Sequence, residues 1–192
     1  KMMQRLRFLA NQLQIQILTG VTVSNFTESQ HQVEIEIENG DPINAAKVLV
    51  ATNGLTQKIL PNIALQPARN QVLITEPIPN LKLKGTFHFD EGYYYFRNFE
   101  HRILLGGARN KAKVEETTPE FGLTPFIQNT LEEFLSTVIL PNQSFKIAHR
   151  WSGILGVGNQ KAPIVQKISE HIGIAVRLGG MGVAIGSLVG EE

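Results

Sequence analysis

The chain has 192 residues, of which 42% are hydrophobic and 18% charged, with a formal net charge of +1. This composition suits a globular fold with a real core, and the near-zero charge gives no basis for binding nucleic acid or an acidic membrane surface. With no cysteine there are no disulfides, no thiolate metal site and no cysteine nucleophile. No apolar run approaches the ~18 residues of a membrane span, and the apolar part of the first segment is too short for a secretory signal. A cytoplasmic location is therefore expected. Lys1 is an unusual first residue, and a piece of a longer protein is expected.

In chain order, Leu6, Leu9, Ala10 and Leu13 fall at helical spacing and predict an amphipathic helix over 2–13. Ile15 and Ile17, then Val21 and Val23, predict short extended pieces. Val33, Ile35 and Ile37 alternate with Glu34, Glu36 and Glu38, the pattern of a half-buried strand, and Asn39-Gly40 supplies a tight turn. Lys47-Val48-Leu49-Val50-Ala51 is nearly all apolar and predicts a strand buried on both faces, ending in Thr52-Asn53-Gly54. Strands are predicted at 70–75, 86–89, 93–97 and 102–105, the last three as an antiparallel meander. Thr124-Pro125 offers an N-cap and a first-turn proline to a helix carrying Phe126, Ile127, Thr130, Leu131, Phe134, Leu135 and Val138 on one face. Phe145, Ile147, His149 and Trp151 alternate as a strand, and 153–158 reads as a glycine-rich loop. The last strands are predicted at 164–168 and 172–178, before Gly179-Gly180-Met181-Gly182 and a helical segment.

Both ends read as βα pieces with glycine turns, whereas the middle is antiparallel with one long helix. This predicts an α/β protein with α+β character. A partial Rossmann-like domain from 1–64 and 150–192 would flank an inserted substrate domain, 65–149, built on an antiparallel or mixed sheet.

Three constellations carry candidate chemistry. A strand running into Gly179-Gly180-Met181-Gly182 and then a helix presents bare backbone N–H groups and the positive end of a helix dipole to an anion; a structural turn with close packing accounts for the same residues. Ala51-Thr52-Asn53-Gly54 follows a strand, and Thr52 or Asn53 is suited to cap a helix there. Tyr93, Tyr94 and Tyr95 are consecutive, so Tyr93 and Tyr95 share one face and Tyr94 and Phe96 the other. Sheet packing explains aromatic residues on a strand, and a substrate pocket uses them equally well, with Tyr95 the leading candidate. The five histidines are scattered without ligand spacing, so no metal site is expected.

Four stretches in this order resemble the C-terminal two-thirds of the D-amino acid oxidase-like family of FAD-dependent oxidoreductases, which includes glycine oxidase and sarcosine oxidase. They are Lys47-Val48-Leu49-Val50-Ala51-Thr52-Asn53-Gly54-Leu55, Gln66-Pro67-Ala68-Arg69-Asn70-Gln71, Gly92-Tyr93-Tyr94-Tyr95-Phe96 with Leu104-Leu105-Gly106-Gly107, and Gly179-Gly180-Met181-Gly182. The resemblance implies an FAD-binding Rossmann-like domain and a mixed sheet that holds an amine or amino-acid-like substrate against the flavin. The reaction it implies is hydride transfer to that flavin. It also implies cofactor-binding roles for Val23, Ala51, Thr52, Gly54, Gly153, Gly179, Gly180, Met181, Gly182 and Val183, and active-site roles for Tyr95 and Arg109. Arg109 lies near a position where sarcosine oxidase-like members carry a histidine, and an arginine there is suited to hold a carboxylate; a solvated loop arginine accounts for the same residue. Arg69 reads as structural, bridging strand and loop.

The departures are informative. No G-x-G-x-x-G, the family's pyrophosphate fingerprint, occurs in this chain; the nearest approach, from Gly180 and Gly182, has Ile185 in the last place. The chain is therefore expected to begin inside the helix after that unit, to bind FAD poorly alone and to be inactive alone. Trp151-Ser152-Gly153-Ile154-Leu155 resembles a glycine oxidase-like pattern in which Leu155 replaces the arginine that holds a substrate carboxylate. Gly180 or Met181 replaces a second family arginine, and Ala184 a lysine. A substrate other than a simple amino acid held by the usual clamp is expected, with FAD noncovalent because cysteine is absent. The alternative is a non-catalytic ligand-binding or interaction module whose glycine turns are purely structural.

Overall fold

The structure is a computed structural model and describes residues 2–191. The chain divides into two compact units, Lys1–Val48 and Leu49–Glu192.

The first unit opens with helix α1 (Met2–Gln12), none of whose residues is buried. The expected extended piece at Ile15 and Ile17 forms no strand. Strands β1 (Val23–Glu28), β2 (Val33–Ile37) and β3 (Ile43–Ala45) then form an antiparallel sheet in the order β1-β2-β3. The alternation of β2 is that of a one-sided strand, with Val33 fully buried and Glu34, Glu36 outward. Asn39 takes φ +58°, as the Asn-Gly turn requires.

The second unit is built on two sheets. In the smaller, β4 (Val48–Val50) lies beside β11 (Ile172–Val176), which pairs antiparallel with β10 (Ile164–Lys167). The expectation that β4 is buried on both faces fails at Leu49, which is 66% exposed, while Val50 is buried. A continuous apolar run fixes a strand but not the number of its covered faces.

The larger sheet is antiparallel in the order β6-β7-β8-β5-β9, with β5 (Gln66–Thr75), β6 (Thr86–Phe89), β7 (Tyr94–Phe99), β8 (Arg102–Gly107) and β9 (Ile147–Val157). Helix α2 (Pro125–Phe134), continued by a π turn at Leu135–Ile139, packs on one face. Leu73, Ile103, Leu105, Ile127, Leu131 and Leu135 fill this core and are buried to 1% exposure or less. Each such side chain contributes roughly 1.5–3 kcal/mol. Phe134 of α2 stacks on Tyr94 at 4.5 Å and leans on Phe89 at 5.0 Å.

Two local expectations are corrected here. The glycine-rich segment after Trp151 is not a loop: β9 runs through it to Val157, paired residue by residue with β5. Thr124 does precede α2, but its side chain makes no cap hydrogen bond. Its hydroxyl accepts from Gln71 Nε2 at 2.8 Å and donates to Glu116 at 3.4 Å.

That contact belongs to a polar chain laid between sheet and helix. Arg69 donates to both carboxylate oxygens of Glu116, at 3.0 and 2.8 Å, as the bridge between strand and loop expected of it. Gln71 donates to Glu116 at 3.0 Å and accepts from Gln128 of α2 at 3.0 Å. Arg150 of β9 then donates to Gln128 at 2.6 Å and to Glu132 at 2.7 Å. Gln71 and Glu116 are almost wholly buried, and each carries the partners that a buried polar group needs.

Candidate functional site

Three glycine-bearing segments meet in the second unit. The first is the turn after β4, where Ala51 and Thr52 lead into a 3₁₀ helix at Asn53–Lys58. The second is the far end of β9. The third is the loop from β11 into helix α3 (Gly182–Val189).

They approach by backbone contact. A Cβ on Gly54 would lie 2.7 Å from the Leu155 carbonyl oxygen, and one on Gly156 would lie 2.7 Å from Asn53 Oδ1. Leu178 N–H donates to Asn53 Oδ1 at 3.0 Å, and Gly179 N–H to the Gly156 carbonyl at 3.1 Å. The expected capping role of Thr52 and Asn53 is therefore corrected: the 3₁₀ helix has no side-chain cap, Thr52 pairs with Thr56 at 3.0 Å, and the Asn53 amide clasps the distant loop instead.

The loop itself is bare. Nothing lies within 4 Å of where a Cβ would stand on Gly179 or Gly180, and Gly179 takes φ +60°. Met181 precedes α3 without a side-chain cap, so the first-turn amides, including those of Gly182 and Val183, have no side-chain partner. Met181 and Val183 are exposed, Val183 at 80%. The structure thus brings Ala51, Thr52, Gly54, Gly179, Gly180, Met181, Gly182 and Val183 into one region. Val23 begins β1 in the other unit, and Gly153 lies on β9, three residues before the Gly156 contact.

The other candidates lie on the larger sheet. Tyr94 and Phe96 face α2, so alternation puts Tyr95 on the opposite face. Register carries that face across the sheet: His88, Tyr95, Gly106, Val72 and Trp151 stand in one row, and Asn70 pairs with Gly153 in the next. His149 stands beside Ile74 on the same face. Trp151 is 42% exposed, and a Cβ on Gly153 would meet nothing within 4 Å.

Tyr95 lies across the backbone of Gly106, where an added Cβ would meet its Oη and Cζ, with Cε2 at 2.9 Å. Its hydroxyl reaches β5, where Asn70 Nδ2 donates to it at 3.1 Å. Burial pushes the Tyr95 phenol above its ordinary pKa, so it stays protonated at neutral pH. Arg109 follows β8 in a 3₁₀ turn (Arg109–Ala112) and is half-buried.

Asn70 and Gly106 are the residues that sequence reasoning passed over. Both sit inside quoted motifs, but their link to Tyr95 appears only when β7, β8 and β5 lie side by side. Among the described residues no three His, Asp or Glu side chains gather as metal ligands.

This fold is shared with enzymes that differ widely from it in sequence. L-proline dehydrogenase from P. horikoshii matches with a TM-score of 0.71 at 20% identity, over 89% of this chain and 47% of that one. Iminodiacetate oxidase from Chelativorans sp. BNC1 matches at 0.74 and 19%, over 96% and 52%. Glycine oxidase from Geobacillus kaustophilus matches at 0.73 and 14%, over 89% and 46%. The chain spans about half the length of these structures. No curated protein matches it significantly by sequence. A family model, that of the FAD dependent oxidoreductases (DAO), matches residues 1–192, and the chain belongs to that family.

The family's cofactor is FAD, and the residues present fit it. Unfilled space over Gly179 and Gly180, uncapped first-turn amides and exposed apolar Val183 suit a flat ring with an anionic edge.

Proposed function

We propose that this chain supplies the flavin-ring and substrate-facing part of an oxidoreductase that oxidises an amine or amino-acid-like substrate. The observation that carries this reading is the meeting of the β4 turn, the end of β9 and the β11–α3 loop in one bare-backbone surface. Held by these segments, FAD would supply the acceptor for a hydride from the substrate carbon next to nitrogen. The amides of Gly180, Gly182 and Val183 and the α3 dipole would favour negative charge at a ring edge near them, and so favour the reduced state. Val23, Ala51, Thr52, Gly54 and Gly153 are assigned to the same cofactor, with Val23 contributing its backbone.

The open sheet face, with Tyr95 as hydroxyl donor, orients the substrate. Arg109 is the candidate cation for a substrate carboxylate, because Leu155 leaves no charge at the position expected for the family's clamp. The domain division proposed is 1–64 with 150–192 for the cofactor and 65–149 for the substrate. A cytoplasmic location and noncovalent FAD complete the reading. Among the described residues no helix is long and apolar enough to cross a membrane.

The test is an absorbance spectrum of the longer protein expected to contain this chain, loaded with flavin, followed by anaerobic mixing with a panel of amines and amino acids. Bleaching of the flavin band by one class supports the reading. A protein that takes up no flavin under any loading condition returns the assignment to a non-catalytic binding module.

A further inference from the structure

We infer that Asn70 is a positioning residue: by donating to the Tyr95 oxygen across Gly106, it turns the phenol's own proton toward the open face of the larger sheet, as a donor to a substrate oxygen. The inference rests on the reading of that face as the substrate side.

Three observations carry it. The Asn70 Nδ2 to Tyr95 Oη distance is 3.1 Å, and no other partner of that hydroxyl exists among the described residues. Gly106 provides the floor over which the ring spans from β7 across β8 to β5, since a side chain there would occupy the space of the phenol. Gly153, the register partner of Asn70, adds an uncovered patch beside it, with nothing within 4 Å of a Cβ. A phenol oxygen that accepts one N–H keeps its O–H proton to give. The open face therefore presents one oriented donor beside one bare glycine, Gly153.

The titratable groups that face Tyr95 are few. His88 of β6 is its register partner, Arg97 stands two residues along β7, and Tyr93 two residues before it. The facing positions on β8 and β5 are Gly106, Asn70 and Val72, none of them ionisable. No carboxylate stands in this group to accept the Tyr95 proton.

The sense of the hydrogen bond is testable in the chain itself, which has three tyrosines. With ¹³Cζ-labelled tyrosine, Y95F identifies the Tyr95 resonance. Asn70→Leu keeps a similar volume and removes the donor without adding charge. If Asn70 donates, the phenolate loses a stabilising N–H and the Tyr95 titration midpoint rises, by about half to one pH unit. A midpoint that falls, or stays where it was, overturns the inference, because it means that Asn70 accepts from the phenol or that the two do not bond. Thermal melts accompany the titration, and Asn70→Ala replaces Asn70→Leu if the latter does not fold.

A double-mutant cycle in the longer, flavin-loaded protein expected to contain this chain gives the second readout. N70L and Y95F each lower kcat/KM about ten-fold and the double variant no further, since one donor is being removed by two routes. Additive losses overturn the positioning role. A raised midpoint with turnover untouched by Y95F upholds the hydrogen bond as inferred, and it is the oxidoreductase reading of Tyr95 that then fails.

Discussion

Glycine at 106 is a packing requirement. An Ala at this position would put its methyl group into the Tyr95 phenol. Gly106→Ala is expected to lift the ring off the sheet into water, so that the Tyr95 phenol titrates closer to an ordinary tyrosine near pH 10; the same ¹³C titration reads it. The sequence shows Gly106 as one half of a Gly-Gly pair and shows, through alternation alone, that Tyr95 and Tyr94 point apart. It cannot show that the phenol crosses β8 to reach β5, because that depends on register among β7, β8 and β5. Asn53 teaches the same lesson. Its place after a strand suggests a cap, whereas its partner, Leu178, is 125 residues away.

At the scale of elements, the larger sheet and α2 are held by an apolar centre and a polar seam. Leu131, fully buried against the sheet, sits in the centre. Leu131→Ala is expected to lower stability by about 2–5 kcal/mol in urea unfolding. The seam makes stability depend on pH. Burial alone would raise the pKa of Glu116, but hydrogen bonds from Arg69, Gln71 and Thr124, with the Arg69 charge, outweigh it and hold it below the ordinary carboxylate range. A group depressed in the folded state gives stability that is complete above its unfolded value, about 4.3, and is lost as pH falls through the folded value. The melting temperature should therefore drop as pH goes below about 4, and Glu116→Gln should flatten that slope while lowering the plateau. An equal slope in both proteins would put the acid sensitivity elsewhere. The elements were largely legible: alternation marked β2 and the meander, and helical spacing with Thr124-Pro125 marked α2. The seam was not, because Gln71 meets Glu116 and Gln128 across 45 and 57 residues. Nor was the path of β9 through its glycines, which read as a loop until β5 supplies its hydrogen-bonding partner.

For the whole molecule, membership of the FAD dependent oxidoreductase family and the absence of a G-x-G-x-x-G from these residues pull apart. The surface proposed to face the ring lies in this chain, and the pyrophosphate fingerprint does not. Mixed with FAD, the 192-residue chain is expected to hold it no tighter than the high micromolar range, a binding energy of roughly 5–6 kcal/mol, and to turn over none of the panel substrates. Flavin fluorescence titration measures the affinity. Tight stoichiometric uptake would mean that the ring-end contacts suffice without the fingerprint.

The Leu178 amide also gives the β11–α3 loop an internal clock. Its proton is held by the Asn53 side chain, not by a strand neighbour, so its exchange with deuterated solvent counts the openings of this one clasp. Exchange that slows when flavin is added would time the closing of the loop on its cofactor, amide by amide, in a sample with no substrate at all.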